Sequence, residues 1–180
     1  MLLHDARRRA HTDADGRLAT LEQQDRSRWD HGMIAQGLEV LAKAREHSPT
    51  PGVYQLQAVI SAEHATAPSF KQTNWRQIAL AYDHLYVRQP TPVVRISGAV
   101  ALSYAHDAQI GLKALAPLIN HPAVADYQSF HAAHADLLRR AGNTQEAVAA
   151  YERAAALAQN DAEHTFLEAR RDALVQVKKR

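Results

Sequence analysis

The chain has 180 residues, of which 46% are hydrophobic and 22% are charged, and its formal net charge is +2. This apolar content is enough to build a core within one domain and too high for a chain that is disordered throughout. The absence of cysteine excludes disulfides, thiolate catalysis and cysteine-ligated metal sites, and is typical of a reducing cytoplasm. No apolar run approaches the ~18 residues that a membrane span needs. We therefore expect a soluble cytoplasmic protein that makes no membrane contact.

The first 24 residues show little helical periodicity, and we predict an irregular N-terminal linker segment over 1–24. Asp13, Asp15 and Gly16 indicate a turn between two short elements, such as a small hairpin. Four arginines and four acidic residues balance within this segment. It is therefore not a basic arm of the kind that binds nucleic acid.

The remaining residues, 25–180, are rich in alanine and show helical periodicity. The predicted helices cover 26–47, 52–66, 75–88, 92–106, 108–119, 125–141, 144–158 and 161–178. Helix starts are marked by residues whose short polar side chains can accept from backbone N–H groups, namely Asp25 or Ser27, Thr50 before Pro51, Asn74, Thr91 before Pro92, Asn143 and Asn160. Gly142 stands where a left-handed helix stop is expected.

A repeat becomes visible when the second helix of each predicted pair is aligned. A small or apolar residue is followed four positions later by a large apolar residue, three positions after that by an apolar residue, and usually by a proline. The copies are Gly37, Leu41, Ala44 and Pro49; Ile78, Tyr82, Leu85 and Pro90; Gly111, Leu115, Leu118 and Pro122; and Ala147, Tyr151 and Ala154. This pattern is typical of the tetratricopeptide (TPR) repeat, whose period is about 34 residues. We therefore predict an all-α, TPR-like array of about eight helices in antiparallel hairpins, with a plain irregular bundle as the alternative.

No motif in the sequence indicates enzymatic chemistry or a bound cofactor. The glycine-rich loops that hold nucleotide phosphates are missing, as are the nucleophile elbow and the HExxH zinc motif. His131 and His134 lie three residues apart on a predicted helix, but a metal site needs further ligands. We expect both histidines to line a groove or the core, together with Arg95 of an earlier helix. The prediction is a non-enzymatic protein without a cofactor or a metal.

The stretch from Asp25 to Asp30, DRSRWD, places alternating charges around a single tryptophan. Arginine and tryptophan are favoured anchors at protein interfaces, whereas a capped helix start with surface ion pairs is the plainer interpretation. The residues that we predict to bind a partner are Asp25, Arg26, Arg28, Trp29, Asp30, Arg95, His131 and His134. The basic clusters at 7–9 and 178–180 are short and contain no aromatic residue, so we expect solvated ends that do not bind DNA.

Several stretches together resemble the C-terminal, TPR-like extension of a subgroup of extracytoplasmic-function RNA polymerase sigma factors. These are MLLHDARR, LEQQDRSRWD, PGVYQLQAVISAEHA, TNWRQIALAYDHL and DLLRRAGNTQEAVAAYERAAALAQNDAEHTFLEAR, and they span nearly the whole chain. The sigma regions that read promoters, including the helix-turn-helix, have no counterpart in these stretches.

The resemblance implies a regulatory, protein-interaction domain that modulates transcription initiation and does not bind promoters by itself. Its expected partners are the RNA polymerase core, the N-terminal sigma regions, or both. Genes of the family often neighbour genes for small YCII-related proteins, which makes such a protein a further candidate partner. Two alternatives remain open at this point: a stand-alone TPR-like scaffold, and a small-molecule or metal sensor that uses a histidine-lined groove.

Overall fold

A computed structural model of the chain describes residues 2–13, 18–48 and 50–177, and the side chain of residue 177 is not included. The chain divides into two compact units, Met1–Pro90 and Thr91–Arg180. The predicted boundary between residues 24 and 25 does not coincide with this division and stays a prediction. Within the described ranges the regular elements are helical apart from one isolated bridge, which confirms the all-α prediction.

The described residues of the first unit form four α-helices. These are α1 (Leu2–Asp5), α2 (His31–His47), α3 (Val53–Thr66) and α4 (Trp75–Arg88). Short 3-10 turns lie between them at Arg8–Ala10, Arg26–Arg28 and Phe70–Gln72. Helix α1 packs on α2 and α3, α2 packs on α3, and α3 packs on α4.

The N-terminal segment is more ordered than its sequence pattern indicates. Helix α1 and the following 3-10 turn bury Leu3, Ala6 and Ala10, which are spaced like the apolar face of a helix. Thr12 and Leu18 form an antiparallel bridge, as the predicted hairpin requires. The predicted turn residues Asp15 and Gly16 lie outside the described residues.

The predicted helix over 26–47 is wrong at its start. The chain first forms the 3-10 turn Arg26–Arg28, whose N-terminus is capped by the Asp25 carboxylate accepting from the Ser27 N–H. It then extends at Trp29 and begins α2 at His31, where the Asp30 carboxylate accepts from the Met33 N–H at 2.9 Å. The two aspartates therefore cap two successive elements, whereas the pattern predicts one continuous helix.

The other helix starts follow the predicted caps in three of five cases. Asn74, Thr91 and Asn160 each accept from the backbone N–H three residues later. Helix α3 instead begins after Gly52, whose N–H donates to the Gln55 side chain at 2.8 Å, so Thr50 is not its cap. Asn143 precedes its helix but makes no side-chain capping bond.

The second unit contains α5 (Pro92–Ala105), α6 (Ala108–Leu115), α7 (Gln128–Arg140), α8 (Thr144–Ala156) and α9 (Asp161–Val177). The pairs α5–α6, α7–α8 and α8–α9 pack side by side. One buried cluster centres on Leu115, Phe130 and Leu137, and another on Tyr151 and Leu167. Adjacent helices thus share continuous apolar faces, as stacked hairpins do.

The repeat pattern marks the inner faces of these pairs. Ten of its apolar or small residues are buried on α2, α4, α6 and α8 or in the 3-10 turn that follows α6. They are Gly37, Leu41, Ile78, Leu85, Gly111, Leu115, Leu118, Ala147, Tyr151 and Ala154. Helix α1 supplies the leading helix of the first pair, which the sequence pattern leaves without one.

Candidate functional site

A cluster of cationic and aromatic side chains lies in the first unit, and we call it the arginine–tryptophan cluster. Its members are Arg7, Arg26, Trp29, His64 and Trp75. The Arg26 guanidinium carbon lies 4.4 Å from the centre of the Trp29 ring, and that of Arg7 lies 5.9 Å from it. The His64 and Trp75 rings meet edge to face with their centres 5.2 Å apart. The first contacts are cation–π interactions, and the second is an edge-to-face contact between two aromatic rings.

Backbone contacts between distant segments bring the arginines together. The Asp30 N–H donates to the Ala6 carbonyl at 2.9 Å, which joins the end of the N-terminal segment to the start of α2. Arg7 follows Ala6 directly and therefore lies beside Trp29. Arg26 Nη1 donates to the carbonyls of His64 and Ala67, at 2.7 and 2.8 Å. These bonds hold the 3-10 turn against the last turn of α3.

Within the described part of the chain, five buried side-chain atoms form no hydrogen bond with the protein, and four of them belong to the cluster. The five atoms are Arg7 Nε, Gln24 Oε1, Arg26 Nη2, Trp29 Nε1 and His64 Nδ1. Three of them are obligate donors, and the imidazole nitrogen can donate in one tautomer. Buried polar atoms are ordinarily hydrogen-bonded, because leaving them unpaired costs free energy. Such a concentration is a mark of a binding site.

The electrostatics of the cluster are those of unneutralised positive charge. Burial, and after it the charge of Arg26, lowers the pKa of Arg7, with Tyr82 acting in the opposite direction. Burial also lowers the pKa of Arg26. Burial of the His64 ring, together with the charges of Arg7 and Arg26, lowers the pKa of His64 from 6.5 to about 4. His64 is therefore neutral at pH 7 beside two cations.

The predicted partner-binding stretch DRSRWD divides between the interior and the surface. Arg26 and Trp29 point into the cluster, and Trp29 is only 4% exposed. Asp25 and Asp30 are exposed caps, and the Ser27 hydroxyl and N–H lower the pKa of Asp25 by donating to its carboxylate. Arg28 is exposed and donates to the Thr12 carbonyl at 2.9 Å. Trp29 is thus no surface anchor, and a role for the stretch in partner binding stays a prediction.

The other predicted site residues, Arg95, His131 and His134, lie in the second unit. Arg95 is half-buried on α5. Two rings flank the buried Phe130: His131 meets it edge to face at 5.2 Å, and His134 stacks on it at 5.8 Å. The His131 Nε2 lies 2.9 Å from the Ala125 carbonyl, and burial, with the charge of His131, lowers the pKa of His134. These two histidines therefore pack against the core, and a role for Arg95, His131 and His134 in partner binding stays a prediction.

A search for metal ligands covers the ranges 2–13, 18–48 and 50–177. These ranges hold no group of three or more histidine, cysteine, aspartate or glutamate side chains placed to share an ion. The same ranges contain no helix that is long and apolar enough to cross a membrane.

A second feature of the first unit is an apolar cavity of about 370 Å³ that opens to the surface, which we call the apolar groove. Helices α1, α2 and α3 line it with Leu2, Leu3, Gly37, Val40, Leu41, Ala44, Tyr54, Gln55, Ala58 and Ser61. Its edge is unusually exposed for such residues: Tyr54 is 80% and Val40 is 61% exposed. Exposed apolar surface of this kind indicates contact with another molecule.

Sequence reasoning missed the cluster because its parts lie far apart in the chain. Arg7 belongs to a run of three arginines that the sequence pattern predicts to be a solvated end. No local sequence pattern links Arg7 to His64. Gln24 and Trp75 carry no motif. The spacing of Arg26 and Trp29, three residues apart beside a helix start, is the one signal that the chain itself provides.

Comparisons with known proteins give two similarities. The model of a family of unknown function, DUF6596, matches residues 1–45, which include Arg7, Arg26 and Trp29. An uncharacterized protein of Rhizobium meliloti (strain 1021) is 38% identical to the chain over 174 residues, which make up 97% of this chain and 40% of that protein. The chain thus spans about two-fifths of the length of the curated relative it matches. No solved structure matches it.

Proposed function

We propose that the chain is a regulatory, protein-interaction domain of a sigma-factor-like protein that modulates transcription initiation in the bacterial cytoplasm and catalyses no reaction. The resemblance to the TPR-like extension of extracytoplasmic-function sigma factors, which spans nearly the whole chain, carries this proposal. Two further observations support it. DUF6596 is a domain found at the C-terminus of some sigma-factor-like proteins, and the matched relative is much longer than this chain.

The apolar groove is the surface that suits a protein partner. Its exposed edge, at Leu2, Val40 and Tyr54, is apolar and lies between helices. Amphipathic helices bind by laying their apolar face into such grooves. We therefore assign the partner as a helix of the N-terminal sigma regions or of the RNA polymerase core, with a small YCII-related protein as a further candidate. Promoter DNA is contacted by those other components and not by this domain.

The test is a pull-down with purified baits. The immobilised chain is incubated separately with the RNA polymerase core, with the N-terminal sigma regions and with a YCII-related protein. We expect at least one of these to be retained, and the substitution of both Val40 and Tyr54 by Asp to abolish retention. Val87 on α4 is 81% exposed, so Val87→Asp adds a charge at a similarly exposed apolar position outside the groove and serves as the control. Retention of no bait, or equal loss in the control, overturns the proposal.

A small-molecule sensor is the second candidate, and the unpaired polar atoms of the arginine–tryptophan cluster favour it. The histidine-lined groove predicted for such a sensor would use His131 and His134, whose rings pack against Phe130.

A stand-alone scaffold is the third possibility. It fails if the sigma regions are encoded in frame with this chain, which the adjacent DNA sequence decides.

A further inference from the structure

We propose that the arginine–tryptophan cluster is a binding site for a small oxyanion, a phosphate group in the first instance, held between Arg7 and Arg26. This inference is independent of the sigma-factor proposal, because it rests only on contacts within the first unit.

The first argument is the hydrogen-bonding inventory. Arg7 Nε, Arg26 Nη2 and Trp29 Nε1 are buried donors with no acceptor in the described chain, and His64 Nδ1 can donate as well. Gln24 Oε1 is an acceptor, and His64 Nδ1 donates or accepts according to its tautomer. An oxyanion accepts several hydrogen bonds at once, and guanidinium groups match its geometry. A set dominated by donors therefore calls for an anion.

The second argument is charge. The guanidinium carbons of Arg7 and Arg26 lie 5.9 and 4.4 Å from the centre of the same Trp29 ring, and the charge of Arg26 lowers the pKa of Arg7. Partly buried like charges are unfavourable unless a counter-charge lies between them. Phosphate carries ≈ −1.5 to −2 charges near pH 7 and can balance both arginines, whereas a carboxylate balances one. We expect phosphate and sulfate to bind more tightly than acetate.

The third argument is how the site is held. The guanidiniums of Arg7 and Arg26 both lie over the ring of the buried Trp29. Arg26 is also fixed through Nη1 by the carbonyls of His64 and Ala67, which leaves Nη2 directed elsewhere. A guanidinium anchored at one nitrogen and unpaired at another is oriented before the ligand arrives. Such preorganisation reduces the entropy lost on binding.

The chain itself provides the probe for a test. It contains two tryptophans, and both Trp29 and Trp75 belong to the cluster. Inorganic phosphate is titrated against the intact chain at constant ionic strength, with chloride as the balancing salt. We expect a saturable change in tryptophan fluorescence. In a ¹⁵N–¹H spectrum the Trp29 indole N–H should shift more than that of Trp75, which already donates to the Phe70 carbonyl at 3.3 Å.

Variants separate the site from general charge. Arg7→Gln should weaken phosphate binding at least about tenfold, since it removes a charge-assisted hydrogen bond. Arg26→Gln should do the same, although it also removes the bonds to α3, so its folding is checked by circular dichroism. Arg9→Gln makes the same charge change at an exposed position two residues after Arg7 and should leave binding unchanged.

Three outcomes overturn the proposal. The first is a folded chain that shows no saturable response to phosphate, sulfate or acetate, in which case the cluster is structural. The second is an Arg9→Gln variant that weakens binding as much as Arg7→Gln, which would mean that the anion is attracted only by net charge. The third is a response that leaves the Trp29 N–H unmoved, which would place the anion elsewhere. Saturable binding of acetate in preference to phosphate would support an oxyanion site but replace phosphate by a carboxylate as its ligand.

Discussion

A Cβ atom added to Gly37 would lie 2.6 Å from Cγ of Leu3 and 2.9 Å from its Cδ2. Helices α1 and α2 therefore approach more closely than any residue with a side chain allows. A similar contact recurs in the second unit, where a Cβ atom on Gly111 would lie 2.7 Å from that of Ser103 and 3.0 Å from the Ala99 carbonyl oxygen. The small residue of the repeat thus has one physical function in both units, which is to let the preceding helix approach.

Replacing Gly37 by Ala should destabilise the fold. The added methyl group must displace the buried Leu3, and overpacking of this kind typically costs about 1–3 kcal/mol. The better helix propensity of alanine offsets up to about 1 kcal/mol of that cost. Urea denaturation measures the difference. Gly32→Ala, at an exposed position of the same helix where an added Cβ would meet only Asp30 Oδ1, at 3.3 Å, should cost less than Gly37→Ala. A Gly37→Ala variant as stable as the parent chain would contradict the close approach.

Gly142 ends α7 in the left-handed region, with φ of +84°. Its N–H donates to the Arg139 carbonyl and the next N–H to that of Leu138, which is the arrangement of a left-handed helix stop. Since no atom lies within 4 Å of an added Cβ, Gly142→Ala should cost about 1–2 kcal/mol through backbone strain alone. Gly142→Asn should cost less, because asparagine tolerates this conformation. Thermal unfolding compares the stability of the two variants with that of the parent chain. Equal stability of all three chains would contradict the predicted backbone strain at position 142.

The sequence predicts most helices well because their ends carry local chemistry. Asn74 and Thr91 accept backbone N–H groups at the first turn, and Pro92 has no N–H to lose. The inner faces of the helices are equally predictable from the sequence, because a repeated small residue and a large apolar residue four positions later lie on the same face. Such signals depend only on neighbours in the chain.

The arginine–tryptophan cluster could not be predicted in the same way. Its contacts join residues 7, 26 and 64, and they form only after α1 has packed on α2 and α3. Helix α1 is itself four residues long, too short for periodicity to reveal. It is held by burial of Leu3 rather than by intrinsic helix propensity. Tertiary packing, not local pattern, therefore creates the candidate site.

Arg140 should contribute more to stability than a surface arginine does. Its guanidinium donates to the hydroxyl and the carbonyl of buried Ser103, at 2.7 and 2.8 Å, and lies 3.9 Å from the centre of the Tyr104 ring. Arg140→Met keeps the apolar stem and removes these contacts, and we expect a loss of about 2–3 kcal/mol. Arg153→Met removes an exposed ion pair with Asp126 and should cost at most about 1 kcal/mol. Chemical denaturation compares the two variants, and similar losses in both would refute the distinction.

His64 should make the stability of the fold depend on pH between 4 and 6.5. The pKa of His64 falls from 6.5 to about 4 in the folded chain, so within this window the unfolded chain binds the proton and the folded chain does not. The free energy of unfolding must then decrease as the pH is lowered from 6.5 towards 4. A shift of this size corresponds to about 3 kcal/mol. Above pH 6.5 the imidazole is neutral in both states and contributes no slope.

Denaturation of matched variants between pH 4 and 7 isolates this contribution. His64→Gln should flatten the dependence relative to the parent chain, whereas His84→Gln, at an exposed position on α4, should leave it unchanged. In Arg7→Gln the pKa of His64, followed by NMR, should rise, because one of the two charges that disfavour the imidazolium is gone. If the parent chain and His64→Gln lose stability in parallel over this window, the imidazole is not held neutral by the cluster, and its burial beside the two arginines would have to be reconsidered.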